Sequence, residues 1–406
     1  MRLFGLLLFF CVSILFAQAQ PSITISGKII DKETGEPLIF ASIGIKGTSL
    51  GTVSNKIGEF DFHIPAEHKN GRMVISMLGY ESMEALIQNL MGRDTLIFRL
   101  NKAVKVLDEV IIKDSLSGGD IVSIAISRIE QNYPMTPFML DGFYRDIKKV
   151  GGIYSSLLEA AVKIYDEDYK EPRNKIRLRE RVALIEVRKS LGYNNKFAQY
   201  FDQKNLLEEL LLHNTVRYRQ FSDEALFFDS FKRQKTSFYN GRRVHVVALR
   251  SDDYFLKMYI GVNNYAIIRL EYERVYPADW VVKKKNSIFS RYVSDKKVID
   301  FKEFQGKMYL NYMNLTSKIN WYNEKSGDLK FETELYQELL INKVYTEPDE
   351  RIASSRKMRR YGLQYQDQRY NKEFWDNYNV IKETPLDQEI VRDLEKSGGL
   401  DEQFDY

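Results

Sequence analysis

Ile23-Thr24-Ile25-Ser26-Gly27-Lys28-Ile29-Ile30 alternates apolar and polar side chains, and Asp31 to Pro37 then supplies turn formers. A period of two is a strand's, because successive side chains on an extended backbone point to opposite faces. The pattern recurs outward from this stretch. Ala41-Ser42-Ile43-Gly44-Ile45 alternates again, Gly47 to Gly51 and Asn55 to Gly58 turn the chain, and Glu59 to Ile64 puts Phe60, Phe62 and Ile64 on one face. Val74 to Met77 and Thr95 to Leu100 complete the set. Short strands at this spacing predict a β-sandwich over 22–100, the packing in which each sheet buries one face.

The whole chain has 406 residues, with 60 Lys+Arg, 56 Asp+Glu, four His and one Cys. That length accommodates two or three domains. A hydrophobic share of 44% with 29% charged residues belongs to a folded chain rather than a disordered one. A formal charge of +4 gives no electrostatic case for a nucleic-acid partner. Residues 1–20 have the order of a signal peptide: Arg2, the apolar run Leu3 to Phe16, then Ala17-Gln18-Ala19 before Gln20. The apolar run is shorter than the roughly 20 residues of a membrane span. Cys11 lies inside this segment in a poor lipobox context, so the mature chain is expected to lack cysteine and to depend on its cores. The expected location is periplasmic or associated with the outer membrane.

Gly27-Lys28-Ile29-Ile30-Asp31, Gly35-Glu36-Pro37-Leu38, Ala41-Ser42-Ile43, Gly47-Thr48, Gly51-Thr52, Gly58-Glu59-Phe60 and Leu78-Gly79-Tyr80 resemble, in order and spacing, the carboxypeptidase regulatory-like domain. The resemblance implies a prealbumin-like sandwich of seven strands, as found at the front of Bacteroidota-type envelope proteins, and a domain that is not itself catalytic. Leu107-Asp108-Glu109-Val110-Ile111-Ile112 resembles the segment that joins this domain to the plug in TonB-dependent transporters. Such a transporter needs a plug and about 22 strands, more than the chain after position 112 can form. A docking strand or a plain linker are both open readings of this segment.

Residues 101–137 form a connector with Ile121, Ile124, Ala125 and Ile129 at helical spacing. Residues 138–345 predict a larger β-rich, α+β domain. Gly151-Gly152 marks a hairpin, and a strand is expected over 176–188 with Arg177, Arg179 and Arg181 on one face. A helical insertion near 196–213 carries Leu206, Leu207, Leu210 and Leu211, and further strands are expected at 244–249, 254–260, 265–275, 297–304, 307–320 and 329–343. Gly261 to Asn264 is a predicted turn, where proline at Asn264 costs stability if its N–H is used. Charges along one face of the strands imply a sheet with one side in water. Residues 346–406 are a polar extension, exposed over 348–372, with a short helix near 386–396. The phrase Tyr259 to Arg269 resembles two groups, the regions that follow the regulatory-like domain in envelope proteins and the LolA/RseB-like half-open barrels. Arg188-Lys189-Ser190 and Phe374 to Asn379 resemble the first group as well. The second implies a sheet wrapped around a helix that holds an apolar ligand.

No catalytic, cofactor-binding or metal residue is assigned. No His is followed by an acid at three, as a zinc carboxypeptidase requires, and His63 with Glu67 at four sits in strand spacing. His63, His68, His213 and His245 therefore read as surface or strand residues. Gly47-Thr48-Ser49-Leu50-Gly51 matches G-x-S-x-G by letter, but a nucleophile elbow needs a helix next and Val53 opens a turn and a strand. The basic runs Arg177/Arg179/Arg181, Lys283-Lys284-Lys285 and Arg356 to Arg360 read as solvated faces. The expected function is a non-enzymatic envelope binding or assembly protein with a protein partner and a sheet able to hold an apolar ligand. The alternatives are a periplasmic lipid or lipoprotein carrier and an accessory of a TonB-dependent uptake system.

Overall fold

The computed structural model describes residues 22–94, 96–103, 116–190, 200–201, 205–222, 224–285, 287–358, 362–366, 369–382, 385–397 and 399–404. The chain opens with β1 (Ser22–Asp31), β2 (Ser42–Ile45), β3 (Gly51–Val53), β4 (Glu59–Pro65), β5 (Arg72–Ser76), β6 (Met83–Leu86) and β7 (Leu96–Leu100). These make two sheets, one ordered β4-β1-β7 and one ordered β3-β2-β5-β6, the seven-stranded sandwich the alternation predicts. Phe60, Phe62 and Ile64 share a core with Ile25, Ile29, Ile43 and Ile75.

The second part begins with α1 (Gly118–Ser127) and α2 (Ile129–Asn132). Ser117 starts α1 through a reciprocal cap: its hydroxyl accepts the Asp120 N–H at 3.1 Å, and the Asp120 carboxylate accepts the Ser117 N–H at 2.8 Å. Then come β8 (Phe138–Val150), β9 (Ile153–Asp166), β10 (Arg181–Lys189), α3 (Leu206–Leu212), α4 (Ala225–Asp229), β11 (Lys232–Arg233), β12 (Ser237–Tyr239) and β13 (Arg242–Arg250). β14 (Tyr254–Gly261), β15 (Ile267–Val275), β16 (Val281–Lys285), β17 (Ile288–Phe304), β18 (Lys307–Asn323) and β19 (Leu329–Thr346) follow. They form a 12-stranded sheet ordered β10-β9-β8-β19-β18-β17-β15-β14-β13-β11, with β12 on β13 and β16 on β17. The sheet does not close into a barrel. Gly151 and Gly152, at φ of 57° and 85°, supply the left-handed turn that joins β8 to β9. The remaining helices are α5 (Lys372–Asn377), α6 (Pro385–Leu394) and α7 (Leu400–Phe404).

The centre of this sheet is covered on both sides, contrary to the expectation of one watered face. Tyr144, Val162, Met313, Leu339 and Ile341 point into a core with Ile121, Val122, Leu207, Leu210 and Leu211 of the helices. Their neighbours Phe143, Ala161, Tyr312 and Leu340 point the other way, onto Val53 of the sandwich and Trp375 and Ile381 near the C-terminus. Arg145, Glu159 and Glu338, charged residues on this second face, are buried there and paired with one another.

Other expectations need correction. The strand begins at Arg181, not 176, because Glu180 is buried against Tyr218 and Arg179 turns to Asp168 at 3.1 Å, so the three arginines do not share a strand face. The helical insertion is shorter, Leu206–Leu212, and residues 191–199 and 202–204 lie outside the described residues. β15 starts at Ile267 because Tyr265 adopts a φ of 58°, which an extended strand does not tolerate. Residues 348–372 are not an exposed extension throughout: Ile352 and Leu363 are buried, and the Met358 N–H bonds the Val182 carbonyl at 2.7 Å, covering the edge strand β10. His213 is half-buried at the C-terminal end of α3 rather than in a strand, and His245 is buried within β13, a strand residue as expected.

Sandwich and sheet are joined by specific bonds. The ladder between β18 and β19 ends at Tyr312–Leu340. Beyond it, the Ser49 hydroxyl donates to the Val344 carbonyl at 2.7 Å and accepts the Val344 N–H at 3.0 Å. Asn379 makes the same kind of double contact with the backbone of His63, at 2.7 and 3.0 Å, and Asn55 donates to the Lys382 carbonyl at 3.1 Å. Ser49→Ala leaves both Val344 groups buried without partners and should cost about 2–4 kcal/mol in urea unfolding, with an unchanged denaturant slope. The hairpin turn uses Asn264 through its side chain, which accepts the Ala266 N–H at 3.1 Å, and its carbonyl, which accepts Asn132 Nδ2 at 3.0 Å. Asn264→Ala should therefore already cost about 1 kcal/mol in the same measurement, before any effect of proline.

Candidate functional site

The residues that sequence chemistry singled out have structural partners. Ser49 is the fastener just described, hydrogen-bonded to strand backbone on both its lone-pair and donor sides. His63 meets Thr24 through Nδ1 at 2.9 Å, and Glu67 lies 3.5 Å from His68 on the surface. Among the described residues, no group of three or more His, Cys, Asp or Glu is arranged to hold a metal ion.

Two buried ionic networks stiffen the larger domain. Arg145 donates to Glu159 at 2.6 Å, to Glu338 at 3.2 Å and to the Ile381 carbonyl at 3.0 Å, while Arg188 takes the other Glu159 oxygen at 2.5 Å. Burial opposes the charge of Glu159, but Arg188 and Arg145 together hold its carboxyl below the usual range. Arg217 pairs with Asp166 at 2.5 and 3.0 Å, and the Tyr218 hydroxyl donates to Glu180. Burial and the neighbouring Asp166 charge push the Glu180 carboxyl up to about 7. Arg217, Asp166, Tyr218 and Glu180 are shielded by their own pairing, whereas Arg145 and Glu338 also line a small cavity of about 70 Å³ with Phe40, Lys56, Tyr336 and Ile381.

An open cleft of about 680 Å³ lies where the sandwich meets the sheet. Ser42, Gly44, Val74 and Ser76 of β2 and β5 form one wall. Phe238, Tyr239 and Asn240, with Lys302 and Glu303 from β17, form the other. The second wall is placed by an Asn-Gly turn: Asn240 and Gly241 take φ of 48° and 72°, the left-handed pair that joins β12 to β13. The sandwich reaches this turn directly. The Gly79 N–H donates to the Phe238 carbonyl at 2.7 Å, and Ser82 bonds the Asn240 side chain at 3.1 Å. A second cavity of about 350 Å³ shares Tyr239, Asn240 and Glu303 and extends to Asn264 of the β14–β15 turn.

Lys302 sets the electrostatics of the cleft. Along β17 it follows Phe301, whose ring is in the helix-side core, so it points to the sandwich side. Its ammonium donates to the Ser49 carbonyl at 2.8 Å and, among the described residues, forms no ion pair. The other lysine of the cleft, Lys46, is paired with Glu84 at 2.7 Å, and Arg242 of the second cavity is paired with Glu303 at 2.6 Å. Burial pushes the Lys302 ammonium down to about 8 from its ordinary 10.5. Burial likewise raises the Tyr239 phenol well above its usual range, so it stays a neutral hydroxyl. One ammonium, several hydroxyls and an amide form a set that orients a polar ligand by hydrogen bonds.

None of these cleft residues was proposed from the sequence. Asn240-Gly241 is a strong hairpin signal and could have placed the turn. Nothing local marks Lys302, because its isolation depends on a sandwich 250 residues away along the chain, at Ser49 (|i−j| of 253). The segment Leu107–Ile112 lies outside the described residues.

Residues 25–112 match the family model described as the CarboxypepD_reg-like domain. No curated protein matches the chain. A solved structure titled "Lipid-protein interactions in lipovitellin" is similar over 58% of this chain and 28% of that chain, at 10% identity and a TM-score of 0.27. The match thus spans little more than a quarter of that chain, and similarity at that level carries no argument about ligand or function.

Because its folded pKa is lowered, Lys302 penalises the native state wherever it must remain charged, and the penalty is relieved as pH rises from about 8 to 10.5. Lys302→Met should raise the melting temperature at pH 7, with the difference from wild type closing above pH 10. Calorimetry across that range checks both the sign and the convergence.

Proposed function

Residues 25–112 are a carboxypeptidase regulatory-like domain, and from that premise we propose that the chain is a non-enzymatic binding and assembly protein of the cell envelope. The signal-peptide order of residues 1–20 directs it to the periplasm or to the outer membrane. The sandwich acts there as half of a receptor, and the cleft it forms with the sheet receives part of an envelope partner. The observation that carries this reading is the cleft of about 680 Å³ whose two walls come from different domains and are fixed by hydrogen bonds across the junction. Fixed walls lower the ordering cost of binding. The pairing of Glu159 with Arg145 and Arg188, and of Asp166 with Arg217, supports the non-enzymatic part, since those charges are consumed in ion pairs within the core.

The carrier alternative asks for an apolar chamber between the sheet and the helical insertion. Leu207, Leu210 and Leu211 of α3 fill one side of that space with sheet residues such as Met313 and Leu339, and the cavity of about 310 Å³ left beside Glu209 and His213 has a mixed rather than apolar lining that includes Asp295, Ser317, Thr333 and Gln337. This favours a binding and assembly role over transport of lipid.

Native mass spectrometry of the mature protein, extracted gently from its own envelope, tests the choice. The expected result is protein free of stoichiometric lipid. A near-stoichiometric lipid adduct would overturn the binding-module reading in favour of the carrier.

A further inference from the structure

We propose that the cleft recognises a carboxylate group, seated on the ammonium of Lys302. This rests on the reading that the cleft is the chain's binding site, and adds the chemistry of what enters it. The argument begins with charge. Lys46 and Arg242 are held by Glu84 and Glu303, and Glu81 accepts from the Asn101 amide at 3.2 Å. Among the described residues Lys302 is left with the Ser49 carbonyl as its acceptor, which uses one of the three N–H bonds of an ammonium.

An ammonium that is half-buried and short of acceptors is stabilised by any anion that can reach it. Size and charge of the surroundings narrow the anion. Among the cleft's charged side chains, the acids Glu81, Glu84 and Glu303 outnumber the lysines Lys46 and Lys302, so a dianion would meet about twice the repulsion that a monoanion meets. The Ser42 hydroxyl in the same cleft suits a second carboxylate oxygen or a neighbouring amide, Tyr239 is already hydrogen-bonded to Ser76 and Asn240, and Val74 and Phe238 offer apolar contact to the carbon skeleton. A small organic acid and the free C-terminus of a peptide share this chemistry. Tyr80, which also lines the cleft, donates its hydroxyl to Asp31 at 2.8 Å and is committed to the sandwich.

The test is isothermal titration calorimetry of the full mature chain with sodium butyrate, with N-acetyl-trialanine as free acid and as amide, and with inorganic phosphate. Saturable one-to-one binding of butyrate or of the peptide acid is expected, and none of the amide. Tighter binding of the peptide acid than of butyrate identifies a chain terminus as the source, and the reverse order identifies a free acid. Lys302→Met and Lys302→Gln, each confirmed folded by circular dichroism, should weaken binding at least tenfold, the order of a lost charge-assisted hydrogen bond.

A structural role for Lys302 would not produce the second readout. Because carboxylate binding favours the charged lysine, binding at pH 8 should take up a fraction of a proton, seen as a dependence of the heat on buffer ionisation, and binding at pH 6 should not. Absence of saturable binding by both acids, equal binding by the lysine variants, or stronger binding of phosphate would overturn the proposal. The lipid measurement decides the broader reading separately: a lipid adduct would overturn that reading even if butyrate bound at Lys302.

Discussion

Arg145 is the point around which the two halves of the molecule are organised. Its guanidinium stands on β8, an interior strand of the largest sheet, and is buried where an unpaired charge would be prohibitive. Three groups from distant parts of the chain answer it: Glu159 from the adjoining strand, Glu338 from the other neighbour, and the carbonyl of Ile381 from the C-terminal segment. Arg188 completes a set of two positive and two negative side chains. The neighbours in that sheet thus carry a polar face that requires a cover, and residues 369–382 with the sandwich provide it. Tyr312 shows the same economy, its ring stacked on Phe40 of the sandwich at 4.6 Å and its hydroxyl bonded to Glu338 at 3.1 Å.

Once that face is covered, the edges follow. A 12-stranded open sheet has two exposed ends, each a row of unpaired backbone groups. At β10 the end is met by the Met358 N–H and by side-chain bonds from Arg181 to Ile352 and from Lys189 to Gln366, at 2.7 and 3.0 Å. At β12 the sandwich loop at Gly79 meets the other. The sandwich cannot touch both the face around Tyr312 and the edge at Phe238 without arching over β17, and the space under that arch is the cleft that contains Lys302. A binding site arises here as the remainder of an edge-capping problem.

How much of this was legible depended on the range of the interactions. The sandwich was readable because its strands, turns and core alternate locally, from Ile25 and Ile29 to Phe60 and Phe62. The hairpin at Gly151-Gly152 and the strands from 307 onward were readable for the same reason. Alternation misled at Arg145, Glu159 and Glu338, because a polar position in a strand has the same signature whether it meets water or a buried counter-ion. It was silent at Lys302, whose neighbours come from a sheet packed against it rather than from its own. Ser49 was conspicuous in sequence for a chemistry it does not perform, and inconspicuous for the backbone bonds it does make.

The C-terminal segment also gives the molecule a temporal order. Asn55 and Lys382 are 327 positions apart, and His63 and Asn379 are 316 apart, so these bonds close loops that contain nearly the entire larger domain. Chain synthesis runs from the sandwich toward this segment, and both parts it joins are made first. Until it arrives, the ionic face around Arg145 is open to water and to other chains. A protein of this design therefore crosses the interval between emergence and closure with its most polar interior uncovered, which makes that interval, rather than the finished fold, its period of greatest exposure to proteases and chaperones.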